Sequence, residues 1–243
     1  MKYIAYSLFG SDRRYLDGLQ EAVAACRHLY PEWSVLVYYE QCIAEEWIEM
    51  LALLDIELVA SVSVSRWDGL YWRFQVLDRA DCEMALIRDA DSPPTTREAK
   101  MVKEWMQSDH QLHIIRDHPN HSWPINAGMW GIRNPDFQDF SALIRKWKWK
   151  AAKSGDQHFL RRKVYNRYYR KALIHTPFVG YQGENVIRTE PSADFIGKPF
   201  FSDPLEDFLA REYMLFPRKS VWGELRLEYD FYRRRAKRLL GIS

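Results

Sequence analysis

The chain has 243 residues, of which 47% are hydrophobic and 28% are charged, and its formal net charge is +2. This balance excludes a disordered chain, and the length suffices for one large α/β domain, or two small ones that share a sheet, with a sizeable core. Its three cysteines, Cys26, Cys42 and Cys82, lack short spacings and have an odd total, which argues against a disulfide framework or a cysteine-built zinc site.

Targeting and charge patterns suggest a compartment and partners. The apolar run at the start is too short for a signal peptide or a membrane span, so we expect a cytoplasmic protein. Between positions 145 and 171 lie eleven Lys or Arg and a single acid, and the segment 232–240 adds five more basic residues. These stretches are either solvated helix faces or surfaces for an anionic partner, such as peripheral contact with a membrane through the C-terminus. We expect no nucleic-acid partner.

The first hundred residues alternate between apolar strands and amphipathic helices. Helices are predicted after a cap at Ser11 or Asp12, over 43–54 and over about 70–80. Strands that are apolar on both faces and alternate with helices indicate a mostly parallel sheet covered on both sides. The predicted strands are 3–9, 33–40, 56–64 and 83–88.

The second half continues the pattern and then weakens. Thr95 and Glu98 form a predicted capping box for a helix that runs to about position 107. Two more strands, at 111–116 and 125–132, precede a helix that starts at Asn134. Another helix is predicted near Asp156, and positions 177–205 are predicted to be loops before a basic, helical C-terminus.

The most informative pattern is the triplet Asp89-Ala90-Asp91, which directly follows an apolar strand. Open α/β sheets bind ligands outside the carboxyl ends of their strands. Two carboxylates spaced in this way can face one hard divalent cation, whose other positions take phosphate oxygens and water. The alternative is a solvated turn, but the strand before the pair and the capped helix behind it favour a metal site.

The runs at 87–108 (IRDADSPPTTREAKMVKEWMQS), 113–135 (HIIRDHPNHSWPINAGMWGIRNP) and 155–160 (GDQHFL) carry a family resemblance. Together they resemble a group of GT-A-fold glycosyltransferases from bacteria and large DNA viruses, which includes a chlorella-virus rhamnosyltransferase domain. The resemblance covers about residues 1–180. A looser similarity extends to glycogenin-type and lipopolysaccharide galactosyltransferases.

The resemblance implies a fold and a reaction. The fold would be α/β of the GT-A, Rossmann-like type, in which helices flank a mixed, mostly parallel sheet. A single domain would then comprise a nucleotide-binding half (1–100), an acceptor half (101–200) and a C-terminal helical extension (201–243). The implied reaction moves a hexose or deoxyhexose from a nucleotide-diphosphate sugar, most often a UDP-sugar, to a glycan, lipid-linked or other hydroxyl acceptor. It requires Mn²⁺ or Mg²⁺, and the pattern leans towards retention of anomeric configuration.

The resemblance also implies a set of donor-binding residues. Gly10 would let the backbone approach the nucleotide, although an ordinary strand-to-helix turn would equally need glycine. Arg73 would offer a planar fork to phosphate oxygens, with a surface ion pair as the alternative. The whole implied donor set is Ser7, Leu8, Phe9, Gly10, Arg73, Arg88, Asp89, Ala90, Asp91, Arg97, Asn126, Ala127 and Gly128.

The remaining expectations concern catalysis, the acceptor and the metal. Asp156, Gln157 and Asp117 are the expected catalytic residues. Ser154 and Gln157 could also form a capping box, which is compatible with that role. His118 and Trp130 are expected on the acceptor side, with core packing as the alternative for Trp130. The expected metal ligands are Asp89, Asp91 and His175, with an ordinary core histidine as the alternative for the last.

Two other functions remain open at this stage. Sugar-phosphate nucleotidyltransferases use the same fold and metal, but they usually carry a glycine-rich first loop with a basic residue. Here that loop is Ser7-Leu8-Phe9-Gly10, with Arg13 and Arg14 just beyond it. A non-enzymatic anion-binding module, based on the basic C-terminal half, is the other alternative.

Overall fold

The computed structural model describes residues 1–118, 120–137, 139–147, 154–178, 180, 183–201 and the two positions 233 and 236. Within these residues one eight-stranded sheet has the order β3-β2-β1-β4-β6-β5-β7-β8. Its β6 strand runs antiparallel to both neighbours, and the other paired strands are parallel. The strands are β1 (Lys2–Leu8), β2 (Ser34–Glu40), β3 (Glu57–Ser61), β4 (Met84–Arg88), β5 (Leu112–Ile115), β6 (Met129–Arg133), β7 (Ala172–Thr176) and β8 (Asn185–Arg188).

Helices cover both sides of the sheet, as the mostly parallel pairing requires. The helices are α1 (Arg13–Leu29), α2 (Glu45–Ala52), α3 (Gly69–Trp72), α4 (Thr96–Met106), α5 (Phe140–Arg145), α6 (Gly155–Leu160) and α7 (Asn166–Tyr168). A 3₁₀ segment, Arg73–Asp78, extends α3, and a π-helical turn, Arg161–Tyr165, joins α6 to α7. No helix in the described part of the chain is long and apolar enough to span a membrane.

The alternation of side chains along each strand divides the core into two layers. In β1, Tyr3 and Ala5 pack on the side covered by α3, α5 and α6, which we call the front face. Ile4, Tyr6 and Leu8 pack on the opposite side beneath α1, α2 and α4, which we call the back face. The predicted mostly parallel, two-sided sheet is therefore confirmed.

The cap of α4 is half of what its sequence predicts. The Thr95 hydroxyl accepts a hydrogen bond from the Glu98 backbone N–H at 3.2 Å. The Glu98 carboxylate, however, does not cap the helix. It is buried on the back face, where Arg88 Nε lies 2.7 Å away and the Tyr30 hydroxyl 3.1 Å away. A buried guanidinium competes for that carboxylate more strongly than a backbone amide does.

Three other element predictions were wrong. β6 begins at Met129 instead of position 125. α5 begins at Phe140, because Asn134 has a left-handed φ of 44° and the Asp139 carboxylate caps the Ala142 N–H at 2.6 Å. β8, an exposed edge strand beside β7, falls in a stretch that was predicted to be loop. The helical extension predicted for 201–243 lies outside the described residues, apart from 201, 233 and 236.

Candidate functional site

Asp89 and Asp91 leave the sheet at its topological switch point. From β1 the order runs through β2 to β3 in one direction and to β4 in the other. The crevice outside the carboxyl ends of β1 and β4 is therefore the expected ligand position in an open α/β sheet. Ser7, near the end of β1, and the Asp89–Asp91 pair after β4 both border this crevice.

Two glycines let the backbone approach this pair closely. A Cβ atom at Gly128 would overlap with the Asp89 carboxylate, so the carboxylate lies directly on the glycine backbone. A Cβ atom at Gly18 of α1 would lie 2.7 Å from the Asp91 Cα and 3.0 Å from the Ala90 carbonyl oxygen. The loop is thus packed between α1 and the segment that leads into β6, which restricts where its carboxylates can go.

Arg73 links the crevice to three parts of the fold. Its backbone N–H donates to Ser7 Oγ at 3.0 Å, at the end of β1. Its Nη1 donates to the Asp89 carboxylate and, at 3.0 Å, to the Arg88 carbonyl oxygen. Its Nη2 lies 3.7 Å from Asp156 Oδ2 at the start of α6. The residue is only 4% exposed, and its Nε has no hydrogen-bond partner among the described residues.

The crevice holds more negative than positive charge. Burial, reinforced by the charge of Asp89, raises the pKa of Asp91 from 3.8 to about 6. Burial also raises the pKa of Asp156 to about 6, although Arg73 opposes this shift. Burial and the charges of Asp91 and Asp89 raise the pKa of the Tyr15 phenol. Three carboxylates around one guanidinium provide an electrostatic site for an additional cation.

These groups line a cavity of about 280 Å³. Six of its lining residues belong to the predicted donor set, namely Ser7, Phe9, Arg73, Asp89, Ala90 and Asp91. Five were missed by sequence reasoning, namely Tyr15, Leu70, Ser92, Gly197 and Pro199. Among these, Ser92 could have been found because it directly follows the pair, and its hydroxyl lies 3.4 Å from Asp91 Oδ1. The other four lie in three separate parts of the chain, in α1, in α3 and near position 198, and no local signal marks them.

The segment 190–201, which we call the strap, closes one side of the cavity. Ser92 Oγ donates to the Gly197 carbonyl at 3.3 Å, and the Phe200 N–H donates to the Asp91 carbonyl at 2.6 Å. Gly197 has a φ of 82°, which favours glycine, and a Cβ there would lie 2.7 Å from the Met129 sulfur. The strap therefore holds the loop of the two carboxylates through two hydrogen bonds.

The predicted metal site can be tested against the side chains that surround it. Among the described residues, no three His, Cys, Asp or Glu side chains form a ready ligand cluster. The Asp89 and Asp91 carboxylates nevertheless border the same cavity, and the repulsion between them contributes to the raised pKa of Asp91. Two carboxylates beside an open cavity fit a hard divalent cation that takes its other ligands from phosphate and water. The residues present therefore fit Mn²⁺ or Mg²⁺.

The structure does not bring three of the predicted residues to the crevice, because strand alternation turns them to the back face. Leu8 is fully buried in the back core, and Arg88 is paired there with Glu98. His175 in β7 bonds to His113 at 2.9 Å and to Glu104 at 2.9 Å. It also lies three strands from β4, which corresponds to about 14 Å at the usual strand spacing. The ligand role expected for His175 is thus contradicted.

Asp117 and Arg97 bind each other and the strap. Arg97 Nε and Nη2 donate to the two oxygens of Asp117 at 3.0 and 2.8 Å, and the Ile196 N–H donates to the same carboxylate at 3.0 Å. Burial raises the pKa of Asp117 in spite of this arginine. His118 is buried against the ring of Phe195, with ring centroids 4.2 Å apart. All three residues therefore contact the strap, and the roles expected of them (Arg97 in donor binding, Asp117 in catalysis and His118 on the acceptor side) stay predictions.

Three other predicted residues, Trp130, Asn126 and Gly10, do not line the cavity. Trp130 is fully buried in the front core and donates to the Ala127 carbonyl at 3.2 Å, so its expected contact with an acceptor is contradicted. The Asn126 amide donates to the His121 carbonyl at 3.1 Å. Gly10 has a φ of 78° and lies outside the cavity lining, with its N–H 2.9 Å from the Glu40 carboxylate.

The start of α6 differs from its predicted capping box. Ser154 has a φ of 61°, and its side chain makes no capping hydrogen bond. The Gln157 N–H instead donates to Asp156 Oδ1 at 2.9 Å, while the Gln157 side-chain oxygen has no partner in the described part of the chain. Asp156 therefore lies at a helix N-terminus beside Arg73, and the side-chain oxygen of Gln157 is an unsatisfied hydrogen-bond acceptor among the described residues.

Comparisons with known proteins match the fold and no sequence family. No protein-family model matches the chain, and no curated protein sequence matches it. The solved structure of S. aureus TarS 1–349 superposes with a TM-score of 0.50 at 12% identity, over 96% of this chain and 71% of that chain. The galactosyltransferase LgtC, solved with donor and acceptor sugar analogues, has a TM-score of 0.48 at 15% identity, over 73% of this chain and 74% of that chain.

A further solved structure is the mannosyltransferase PcManGT from Pyrobaculum calidifontis in complex with GDP-Man and Mn²⁺. It has a TM-score of 0.45 at 14% identity and covers 100% of this chain and 75% of that chain. At such identities a likeness concerns the fold alone. The mixed, mostly parallel eight-stranded sheet flanked by helices is the GT-A, Rossmann-like fold.

Proposed function

We propose that this chain is a metal-dependent glycosyltransferase that moves a hexose or deoxyhexose from a nucleotide-diphosphate sugar to a hydroxyl acceptor. One observation carries the proposal: Asp89 and Asp91 share a cavity at the topological switch point with the buried Arg73. A UDP-sugar is the favoured donor, and a glycan or lipid-linked hydroxyl is the favoured acceptor. Both preferences rest on the resemblance of residues 1–180 to GT-A enzymes.

The side chains of the crevice suit a diphosphate leaving group. Asp89 and Asp91 would hold Mn²⁺ or Mg²⁺, and the bound cation would supply positive charge to the departing diphosphate. Arg73 has a buried Nε with no partner in the described structure, and its planar fork suits phosphate oxygens. In the reaction the bond from the anomeric carbon to the diphosphate oxygen breaks, a bond to the acceptor oxygen forms, and the acceptor loses its proton.

Asp156 is the carboxylate best placed to act on the sugar. It is 4% exposed, lies beside Arg73 and precedes Gln157, whose side-chain oxygen lacks a partner in the described residues. We assign to Asp156 and Gln157 the positioning of the donor sugar near its anomeric carbon. Retention of anomeric configuration remains our prediction, and we assign no side-chain nucleophile.

The decisive test measures products with nucleotide-sugar donors and Mn²⁺. We expect release of a nucleoside diphosphate, and at least a hundredfold loss of that rate in Asp89→Asn and Asp91→Asn. Asp109→Asn is the matched control, because Asp109 is an exposed acid that precedes β5, at the opposite edge of the sheet. If Asp89→Asn and Asp91→Asn both release the nucleoside diphosphate at the same rate as Asp109→Asn, the proposal is wrong.

The identity of the product also tests the alternative function, a sugar-phosphate nucleotidyltransferase. A nucleotidyltransferase would release pyrophosphate in place of a nucleoside diphosphate. The first loop argues against that reaction, because Ser7-Leu8-Phe9-Gly10 has a single glycine and no basic residue. The Gly10 N–H donates to the Glu40 carboxylate. An anion-binding module would instead be favoured if the protein binds nucleotides without any turnover and if Asp89→Asn and Asp91→Asn leave that binding unchanged.

Peripheral membrane contact through the basic C-terminus is a separate part of the proposal. The basic segment 232–240 lies outside the described residues, apart from 233 and 236. We expect sedimentation with vesicles that contain anionic lipid, and a clear loss when Arg233, Arg234 and Arg235 are replaced by serine. If the wild type and the triple serine variant sediment equally with the vesicles, the proposed membrane contact is wrong, whereas the transferase proposal is unaffected.

A further inference from the structure

Arg73 already occupies one oxygen of a proposed metal ligand. Its Nη1 pairs with Asp89 Oδ1, while Asp89 Oδ2 is the atom nearest to where a Cβ of residue 128 would be. One carboxylate oxygen is thus taken by a cation of the protein, and the other lies against the glycine backbone. A divalent cation that uses this oxygen of Asp89 together with Asp91 would therefore compete with Arg73 for it.

The guanidinium is held where it is. The Arg73 side chain is 5% exposed, its Nη1 also donates to the Arg88 carbonyl, and its backbone is anchored to Ser7. Its Nε has no partner among the described residues, and such an unsatisfied buried N–H group is costly. Arg73 lines the cavity, so an anion bound there would compensate its guanidinium for the loss of Asp89.

We propose that Arg73 is a placeholder cation: it binds Asp89 until a diphosphate engages the guanidinium, and Asp89 is then released to the metal. This inference rests on the proposed function and adds a binding order to it. The metal and the nucleoside diphosphate become coupled through one arginine, and such coupling is reciprocal, because each ligand strengthens the binding of the other by the same factor.

The coupling can be measured without turnover. In Arg73→Met the competitor of the metal is absent, so we expect Mn²⁺ alone, titrated by electron paramagnetic resonance, to bind about tenfold more tightly than in the wild type. UDP or GDP alone, titrated calorimetrically in EDTA, should bind about tenfold more weakly. The factor by which the nucleotide strengthens Mn²⁺ binding should fall accordingly.

Loss of any positive charge near the pair raises cation affinity, so a charge-matched control is needed. Arg14 serves as this control, because it is exposed and paired with Asp12. Its hydrogen bond to Asp12 and, more weakly, the charges of Asp12 and Asp91 raise its pKa, so it feels the charge of the pair. Arg14→Met should change the affinity for Mn²⁺ alone less than twofold. If Arg73→Met does not fold, Arg73→Lys replaces it, since an ammonium lacks the fork that holds Asp89 and the Arg88 carbonyl together, and a gain of about threefold is expected.

The outcomes separate the two proposals. Mn²⁺ affinity in the folded Arg73 variants no greater than in Arg14→Met overturns the placeholder, even if Asp89→Asn abolishes metal binding. If the wild type binds neither Mn²⁺ nor UDP nor GDP, the proposed function fails. A tighter Mn²⁺ complex in the Arg73 variants, together with weaker nucleotide binding, supports the placeholder.

Discussion

Asp156 allows a test of the electrostatics of the crevice through protein stability. Its carboxylate is 6% exposed, and burial raises its pKa from 3.8 to about 6. A raised carboxyl pKa favours the folded state below pH 4, and that contribution is lost as the pH rises through 6. Two pKa units correspond to about 3 kcal/mol, so Asp156→Asn should stabilise the metal-free protein by roughly 2–3 kcal/mol at pH 8. The Asn oxygen can still accept from the Gln157 N–H.

The assay is urea denaturation followed by tryptophan fluorescence at pH 8, 6 and 4.5, in EDTA. The difference between Asp156→Asn and wild type should shrink as the pH falls below 6, to about 1 kcal/mol at pH 4.5, and should vanish only below pH 3.8. For a chain of this size the gain at pH 8 corresponds to roughly 5–10 °C in melting temperature. Asp109→Asn is the control and should show no such pH-dependent gain. If the Asn variant is less stable than wild type by the same amount at every pH, the reasoning about Asp156 is refuted.

Three further predictions concern the pair and the ion pair behind it. Gly128→Ala should fold but turn the Asp89 carboxylate away, so calorimetry should show at least a tenfold loss of Mn²⁺ affinity; unchanged affinity would contradict the packing argument. Since the pKa of Asp91 is about 6, Mn²⁺ affinity measured from pH 8 to 5 should be level above 7 and weaken roughly tenfold per unit below 6, and a flat profile would contradict this. Glu98→Gln leaves the Arg88 guanidinium buried and unpaired, so chemical denaturation should show a loss of about 3–5 kcal/mol; a loss below 1 kcal/mol would mean that Arg88 reaches solvent or another acceptor.

Some of the misplaced residues could have been assigned correctly from the sequence. Strand alternation is a local property, and Ser7 and Leu8 are neighbours in one strand, so only one of them can face the crevice. The same argument turns Arg88 to the back face once Ile87 belongs to the front core. A sequence resemblance assigns consecutive residues to the same site, whereas consecutive residues of a strand lie on opposite faces of the sheet.

The local sequence determined the order of strands and helices in the first half, the position of Asp89 and Asp91 after a buried strand, and the cap at Thr95. Each depends on periodicity or on groups a few residues apart. Only the tertiary structure decided that Arg73 would lie between Asp89 and Asp156, and that Gly197 would close over Ser92, 105 positions away. Such contacts require distant segments to be brought together by burial of the shared core, and local propensity contains no information about which segments meet.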